Sequence, residues 1–192
     1  MNVISTRVRD VFILEPAVFG DERGWFFESW SERETERHGL LYRFVQDNHS
    51  YSAKTGTLRG LHVQKGRHSQ AKLVRCVRGA VLDVAVDLRK GSPTYMQWVG
   101  VELSAQNKRQ LLIPRGFLHG FITRTDDVEF LYKTDNFYNK DSEATVIWND
   151  PDIAVDWGVD SPIINEKDSL GLRVADCGID FVYSGAPEKE KT

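Results

Sequence analysis

The most regular pattern in the sequence is a two-residue alternation of hydrophobic and polar positions. Between residues 81 and 88, aliphatic side chains occupy every even position, and the odd positions include Asp83 and Asp87. Alternate residues of a strand point to the same face, so this pattern predicts a β-strand. Shorter hydrophobic segments predict further strands at residues 98–103, 110–113, 120–123, 129–134 and 145–148.

Turn residues separate the predicted strands, and helical patterns are scarce. Pro114-Arg-Gly116 is one example of such a turn. In the clearest helical pattern, Ser31 and Glu34 fit a capping box and Gly39 fits a helix end. Short, closely spaced strands with few helices are typical of sandwiches and jelly-roll barrels. We therefore predict an all-β fold with a few short peripheral helices.

Length and composition indicate a single folded domain. Of the 192 residues, 41% are hydrophobic and 28% are charged, which is near the average for globular domains. Because the ending at 184–192 is polar, we place the domain at 1–183. The net charge of −3 argues against nucleic-acid binding, and no apolar run approaches the roughly 18 residues that span a membrane. Cys76 and Cys177 are too few for a disulfide framework, so we expect a cytoplasmic protein.

Three polar clusters lie on or beside predicted strands. The first is Leu58-Arg-Gly-Leu-His62 with the later Lys72, the second is Pro114-Arg-Gly-Phe-Leu-His119, and the third combines Tyr132 with Asp168. Taken singly, each residue has an ordinary structural explanation, since a lone histidine on a strand is more often structural than catalytic. Only their combination points to chemistry.

The first cluster has a glycine at its centre. Strict alternation along a strand places Arg59 and Leu61 on one face and Gly60 and His62 on the other. If the second face lines a barrel, we expect the missing side chain of Gly60 to leave space for a ligand near His62.

The histidines raise the question of a metal site. Pro114-x-Gly116-x-x-His119 resembles the second signature of the cupin superfamily of β-barrels. Metal-binding cupins pair it with two histidines separated by one residue, then a glutamate, whereas His62 is followed by Val63 and Gln64. The ammonium of Lys72 has no lone pair and repels a divalent cation. We therefore predict a cupin-like barrel and no metal.

Histidine, lysine, tyrosine and aspartate in one barrel suit proton transfer at carbon. Removing a proton beside a ketone needs a base, a cation or donor for the enolate oxygen, and an acid for reprotonation. Histidine is a base near neutral pH, especially when a carboxylate orients its other ring nitrogen. Lysine can hold the enolate, and tyrosine on the opposite face of the substrate can return the proton. These residues suit an epimerase or isomerase without selecting one.

Nine segments occur in an order that is found in one family of nucleotide-sugar enzymes. They are residues 19–28, 46–50, 58–62, 70–75, 78–89, 91–93, 114–121, 132–133 and 148–151. Together they closely resemble the dTDP-4-dehydrorhamnose 3,5-epimerase family. The collinear matches run from about residue 12 to about residue 172, so the series is far more specific than any single motif.

The resemblance implies a double-stranded β-helix, or jelly roll, in a homodimer that exchanges N-terminal strands and needs no metal or coenzyme. The implied substrate is dTDP-4-dehydro-6-deoxy-α-D-glucose. Its inversion at C3 and C5 gives dTDP-4-dehydro-β-L-rhamnose, on the route to dTDP-L-rhamnose. By resemblance, His62 is the proton acceptor and Asp168 is its carboxylate partner. Lys72 is the cation beside the C4 oxygen, and Tyr132 is the proton donor.

The resemblance also implies substrate-binding positions. Arg23 and Glu28 correspond to nucleotide contacts, and Phe26 to an aromatic that packs on thymine. Arg59 and His119 correspond to positions near the diphosphate and the sugar, and arginine suits paired phosphate contacts. The remaining implied substrate contacts are Gln46, Asp47, Asn48, Tyr138, Glu143 and Lys167.

Several alternatives stay open at this level. The nearest is an enzyme that inverts only C3 or only C5, because the same acids and bases serve both reactions. A non-catalytic sugar-nucleotide-binding protein would keep the nucleotide-binding positions without needing the acid and base together. A metal oxygenase or isomerase on the same barrel is a third alternative.

Overall fold

The computed structural model describes residues 1–185, and its strands form two main antiparallel sheets and one separate hairpin. Residues 186–192, which belong to the predicted polar tail, lie outside the described residues. In chain order the strands are β1 (Asn2–Ser5), β2 (Phe12–Glu15), β3 (Phe19–Asp21), β4 (Gly24–Phe26), β5 (Gln46–Ser52), β6 (Leu58–Gln64), β7 (Lys72–Arg78), β8 (Ala80–Asp87), β9 (Trp98–Ser104), β10 (Gln110–Ile113), β11 (Phe117–Thr123), β12 (Val128–Thr134) and β13 (Glu143–Thr145).

The two main sheets contain six and five strands. The six-stranded sheet has the order β1-β2-β10-β7-β12-β5, and the five-stranded sheet has the order β13-β6-β11-β8-β9. The hairpin is formed by β3 and β4. Two short helices are present in the described chain, α1 (Glu32–Glu36) and α2 (Glu166–Ser169), with 3-10 turns at Gly66–His68, Lys140–Ser142 and Val174–Asp176. This architecture confirms the predicted all-β jelly roll with short peripheral helices.

The interior between the sheets is filled by alternate residues of the facing strands. The aromatic pair Phe121 and Phe130 stacks there with ring centroids 4.2 Å apart. Aliphatic residues surround this pair, including Val74, Val81 and Val101. Burial of such apolar surface is the main force that holds two sheets together. The partly buried Tyr132 packs against this core.

The outer faces of both sheets are also covered. Leu61, Leu118 and Trp157 belong to a second core, where the later part of the chain packs on the five-stranded sheet. Leu14 and Leu40 belong to a third core on the six-stranded sheet. Within residues 1–185, no helix has the length and apolar character required to cross a membrane.

Most predicted strands match the structure, and one does not. The predictions at 98–103, 110–113 and 129–134 agree with β9, β10 and β12 to within one residue, and 120–123 is the second half of β11. The prediction at 145–148 is wrong, because β13 ends at Thr145 and Val146 makes only an isolated bridge with Leu172. The hydrophobic run there packs into the second core, where the Trp148 carbonyl accepts a hydrogen bond from Trp157 Nε1 at 2.8 Å.

The predicted helix signals are present in α1. Ser31 is the N-cap, and its hydroxyl accepts a hydrogen bond from the Glu34 N–H at 3.4 Å. Gly39 has a φ of +74°, the left-handed conformation that ends many helices. The division into one domain at 1–183 stays a prediction.

Candidate active site

Strand β6 carries two predicted site residues on the same face. Across β6 and β11, His62 pairs with His119 and Arg59 pairs with Phe121, so two residues of β6 lie opposite one residue of β11. The extra residue leaves Arg59 and His62 partly exposed and buries Leu61 in the second core. The prediction that Arg59 and His62 lie on opposite faces is therefore wrong, because strict alternation fails across such an irregularity.

Gly60 makes room for a neighbouring strand and not for a ligand. A Cβ atom at this position would lie 2.6 Å from Gly120 Cα and 2.9 Å from the His119 carbonyl oxygen. Its φ of +127° also lies in the region that favours glycine. The expected ligand space beside Gly60 is thus occupied by the backbone of β11. The Gly60 N–H instead donates to Asp168 Oδ2 at 3.1 Å.

The His62 side chain is paired with a buried carboxylate. His62 Nε2 lies 2.6 Å from Asp168 Oδ1, and Asp168 is only 1% exposed. Helix α2 fixes this aspartate, because the Asn165 side chain caps the helix by accepting the Asp168 N–H at 2.8 Å. Burial opposes ionisation of Asp168, but the hydrogen bond and charge of His62 and the Gly60 N–H hold its pKa below the ordinary value. The carboxylate thereby holds the proton on Nε2 and leaves Nδ1 available as a base.

Lys72, the first residue of β7, places an ammonium group in the same interior. Burial lowers the pKa of Lys72 to about 8, while the carboxylates of Asp83 and Glu143 oppose the shift. Its Nζ lies 3.5 Å from His119 Nδ1 and 6.0 Å from the centre of the Tyr132 ring. A cation held in surroundings of low dielectric stabilises a developing oxyanion strongly.

Tyr132 supplies a phenol on the opposing six-stranded sheet. The residue lies on β12, and its ring packs against Phe130 with centroids 6.5 Å apart. Burial and the negative charge of Glu143 raise the pKa of Tyr132 above its ordinary value. The phenol therefore stays protonated at neutral pH and can donate a proton.

His119 pairs with His62 across the sheet but is held by a different carboxylate. His119 Nε2 lies 2.9 Å from Asp83 Oδ1, and both residues are buried. Burial lowers the pKa of His119 and raises the pKa of Asp83. The sequence pattern marks Asp83 only as a polar position of a strand. The signal that could have identified it is a carboxylate in the middle of a strand, with aliphatic residues on both sides.

The side chains at the edge of this interior present hydrogen-bond donors. Arg59 is fixed by bonds to Ser52 Oγ at 3.1 Å and to the Tyr51 carbonyl at 2.8 Å. On β5, Gln46 Nε2 donates to Asn48 Oδ1 at 2.9 Å. Asn48 Nδ2 is buried and has no hydrogen-bond partner among residues 1–185. A buried unpaired donor of this kind is suited to a ligand oxygen.

Three further predicted residues form one chain of contacts. Lys167 Nζ lies 2.6 Å from Glu143 Oε1, and the Tyr138 hydroxyl donates to Glu143 Oε2 at 3.1 Å. Burial opposes ionisation of Glu143, but these two partners hold its pKa below the ordinary value. The contacts join the loop that carries Tyr138 to helix α2, which carries Asp168.

Asp47 is separated from its neighbours on β5 by the alternation of the strand. It is exposed, and its carboxylate accepts a hydrogen bond from Lys133 Nζ at 2.7 Å. Gln46 and Asn48 point to the other face. The structure does not bring Asp47 together with the other site residues.

Arg23, Phe26 and Glu28 also lie outside the interior of their own chain. Arg23 is paired with Asp21 at 2.5 Å, Phe26 is 69% exposed, and Glu28 is exposed. The adjacent Phe27 lies 5.8 Å from the guanidinium of Arg75, which follows the inward Val74 on β7 and so points outward. The hairpin therefore stands beside the outer surface of the six-stranded sheet.

The interior site thus combines a histidine–aspartate pair, an ammonium, a phenol and a second histidine–aspartate pair. Within residues 1–185, no group of three histidine, cysteine, aspartate or glutamate side chains is arranged to hold a metal ion. The residues that the structure brings together are those suited to moving a proton at a carbon beside a carbonyl.

A family model and curated relatives both indicate the same family of epimerases. The family model described as dTDP-4-dehydrorhamnose 3,5-epimerase matches residues 5–176. A dTDP-4-dehydrorhamnose 3,5-epimerase from Shigella flexneri is 55% identical over 92% of this chain and 97% of that protein. A dTDP-4-dehydrorhamnose 3-epimerase from Streptomyces niveus is 36% identical over 92% of this chain and 85% of that protein.

A solved structure shows the same fold. The dTDP-6-deoxy-D-glucose-3,5-epimerase from Legionella pneumophila, in complex with dTDP-4-keto-L-rhamnose, superposes with a TM-score of 0.89. The two sequences are 42% identical, and the match covers 96% of this chain and 99% of that one. Fold and site together define an epimerase, an enzyme of the isomerase class. The chain belongs to the dTDP-4-dehydrorhamnose 3,5-epimerase family.

Proposed function

We propose that this chain converts dTDP-4-dehydro-6-deoxy-α-D-glucose to dTDP-4-dehydro-β-L-rhamnose by inverting C3 and C5. The observation that carries the proposal is the pairing of His62 with the buried Asp168 at 2.6 Å, in the same interior as Lys72 and Tyr132. Family membership and the ligand named for the Legionella relative support the substrate class.

The first step is proton abstraction by His62. The C4 ketone acidifies the hydrogens on both C3 and C5, because either carbanion delocalises onto the C4 oxygen. His62 Nδ1 takes the proton, the C–H electron pair forms the enolate, and Asp168 stabilises the resulting imidazolium. The Lys72 ammonium holds the enolate oxygen. A positioned base contributes about 10²–10⁴-fold, so Lys72 supplies much of the remaining acceleration.

The second step is reprotonation from the opposite face by Tyr132. Its phenol gives a proton to the carbon, the enolate collapses to the ketone, and the stereocentre is inverted. Exchange with water restores the phenol and the neutral imidazole, so no oxidant or reductant is consumed. Readjustment of the sugar ring then lets the same residues act at the other carbon.

Nucleotide binding in this proposal involves two copies of the chain. Arg59, Gln46 and Asn48 bind from the barrel. Arg23 and Phe26 on the hairpin, and Glu28 just after it, come from a second copy of the chain in a homodimer. The exposure of the hairpin and its distance from its own interior support this arrangement. His119, Tyr138, Glu143 and Lys167 complete the sugar pocket. Asp47 is left out, because its carboxylate faces away from Gln46 and Asn48.

We also propose a cytoplasmic location. Both Cys76 and Cys177 are free and buried, as expected for a protein that folds in a reducing compartment.

Incubation of the enzyme with the 4-keto sugar in D₂O tests the proposed reaction. We expect deuterium at both C3 and C5, read by NMR or mass spectrometry of the product. Persistent labelling at one carbon alone would identify a mono-epimerase instead, an alternative that the Streptomyces niveus relative keeps relevant. Binding of dTDP without any deuterium incorporation would show a binding protein.

A further inference from the structure

The second histidine–aspartate pair has a geometry that the proposed reaction does not yet use. Asp83 lies on β8, is fully buried, and approaches His119 Nε2 to 2.9 Å through Oδ1. Its other oxygen, Oδ2, has no hydrogen-bond partner among residues 1–185. A buried carboxylate that is only half satisfied is costly, so it points to a role beyond packing.

The contacts indicate which nitrogen of the His119 ring carries the proton. His119 Nδ1 lies 3.5 Å from Lys72 Nζ, and an ammonium group can only donate hydrogen bonds. Nδ1 must therefore present its lone pair to Lys72. The single ring proton of the neutral imidazole then sits on Nε2, where the Asp83 carboxylate accepts it. His119 is consequently an acceptor that faces a cation, unlike His62, whose second nitrogen is not in contact with one.

We propose that Asp83 is a positioning residue which, through His119, orients the Lys72 ammonium toward the substrate C4 oxygen and keeps it charged. This inference rests on the proposed function, because it assigns Lys72 to the enolate. The relay crosses the barrel, since Asp83 and His119 lie on the five-stranded sheet and Lys72 lies on the six-stranded sheet. One hydrogen of the ammonium is held by His119, which leaves the others for the substrate.

Electrostatics favours the same role. The titratable groups that share this interior with Lys72 are Asp83 on β8, His119 on β11, His62 on β6, Tyr132 on β12, Glu143 on β13 and Lys167 on α2. Burial lowers the pKa of Lys72 to about 8, and Asp83 provides the largest opposing effect. Replacing Asp83 by a neutral group removes that opposition, so the pKa of Lys72 falls further. The side-chain amide of asparagine can also donate a hydrogen bond to His119 Nε2. The ring proton then moves to Nδ1, where it faces the Lys72 ammonium, and Nδ1 can no longer accept the hydrogen bond of that ammonium.

The first test reads the His119 ring directly in the ligand-free protein. Nitrogen-15 NMR of histidine-labelled enzyme near pH 7 distinguishes the two neutral tautomers and the imidazolium. We expect His119 with its proton on Nε2, and a change toward the Nδ1 proton in Asp83→Asn. A wild-type His119 that is charged, or protonated on Nδ1, overturns the proposal. This readout does not depend on catalysis, so it remains decisive even if the proposed reaction fails.

The second test is the pH dependence of kcat/KM for exchange in D₂O. In Asp83→Asn we expect the alkaline decline to move to lower pH by roughly one unit. We expect kcat at pH 8 to fall about tenfold or more while the Kd for dTDP changes less than about threefold. Asp87→Asn is the matched control, because Asp87 is also buried on β8 but bonds Arg89 and Ser92. Asp87→Asn should lower thermal stability without changing the pH at which kcat/KM declines. The proposal is overturned if the alkaline decline of kcat/KM stays at the same pH in Asp83→Asn, or if it moves equally far in Asp87→Asn.

Discussion

Two imidazoles in the interior are each held by a buried aspartate, and only His62 keeps its second nitrogen clear of a cation. We expect His62→Ala to reduce solvent exchange at the substrate carbons by roughly 10²–10⁴-fold, because the general base is lost. The Kd for dTDP should stay within about threefold, since the imidazole meets the sugar and not the nucleotide. Exchange is measured by mass spectrometry in D₂O and binding by calorimetry.

His49→Ala is the control for this variant. His49 is exposed on β5 and bonds Glu129 at 3.0 Å on the outer face, so its loss should leave exchange unchanged. Normal exchange in His62→Ala would remove His62 from the role of base.

The pKa of Lys72 predicts how the activity of the enzyme changes at alkaline pH. The reaction needs the charged ammonium, and the pKa of Lys72 is lowered to about 8 by burial. The charged fraction falls as pH rises through that value, so kcat/KM should decline above about pH 8. In Lys72→Arg the guanidinium stays charged throughout this range, so whatever activity remains should lose that decline. A decline near pH 8 that persists in Lys72→Arg would assign it to another group.

The residue types of the site could be predicted from the sequence, but their arrangement could not. His62, Lys72, Tyr132 and Asp168 were expected together from collinear motifs, and the structure places them around one interior. The sequence shows Asp83 as a carboxylate within a hydrophobic strand, but it does not show that His119 faces it from a neighbouring strand, because strand neighbours are not visible in a single sequence.

At the scale of strands, the close approach of β6 to β11 is important for the stability of the fold. Gly60→Ala places a Cβ atom 2.6 Å from Gly120 Cα, which is backbone that cannot move aside. We expect a loss of about 3 kcal/mol or more in the free energy of unfolding, measured by urea denaturation. Activity of the folded fraction should also fall, because the Gly60 N–H orients Asp168.

Gly56→Ala is the matched control for the strand prediction. Gly56 has a φ of +78°, but a Cβ there meets nothing within 4 Å. Its cost should be limited to the left-handed backbone, about 1–2 kcal/mol. Equal losses in the two variants would mean that close packing of β6 on β11 contributes nothing.

Strand positions followed from sequence periodicity wherever one regular face is buried. The alternation in β8 and the short runs of β10 and β12 were therefore informative. Periodicity failed at β6, because an extra residue against β11 puts Arg59 and His62 on one face. It failed again after Thr145, where hydrophobic residues serve the second core and not a strand. Both failures depend on tertiary partners that local pattern does not encode.

At the scale of the whole molecule, the β3–β4 hairpin lies outside the two main sheets of its own chain. Phe19, Trp25 and Phe26 are each more than 60% exposed, a degree of exposure that is unusual for three aromatics on one small hairpin. In the proposed symmetric dimer each hairpin would enter the other barrel, which would bury these rings and bring Arg23 to the diphosphate of the proposed substrate. Each active site would then combine the barrel of one chain with the hairpin of the other.

Mixing two inactive variants tests this arrangement. Arg23→Ala/Phe26→Ala removes the hairpin contribution, and His62→Ala removes the base of the barrel, so each homodimer should be nearly inactive. After unfolding and refolding of an equal mixture, half of the dimers contain one chain of each kind, and each has one intact site. Activity should therefore recover to about a quarter of the wild-type value. Recovery requires that the two halves of a site come from different chains, so a mixture no more active than its components would place the complete site within one chain.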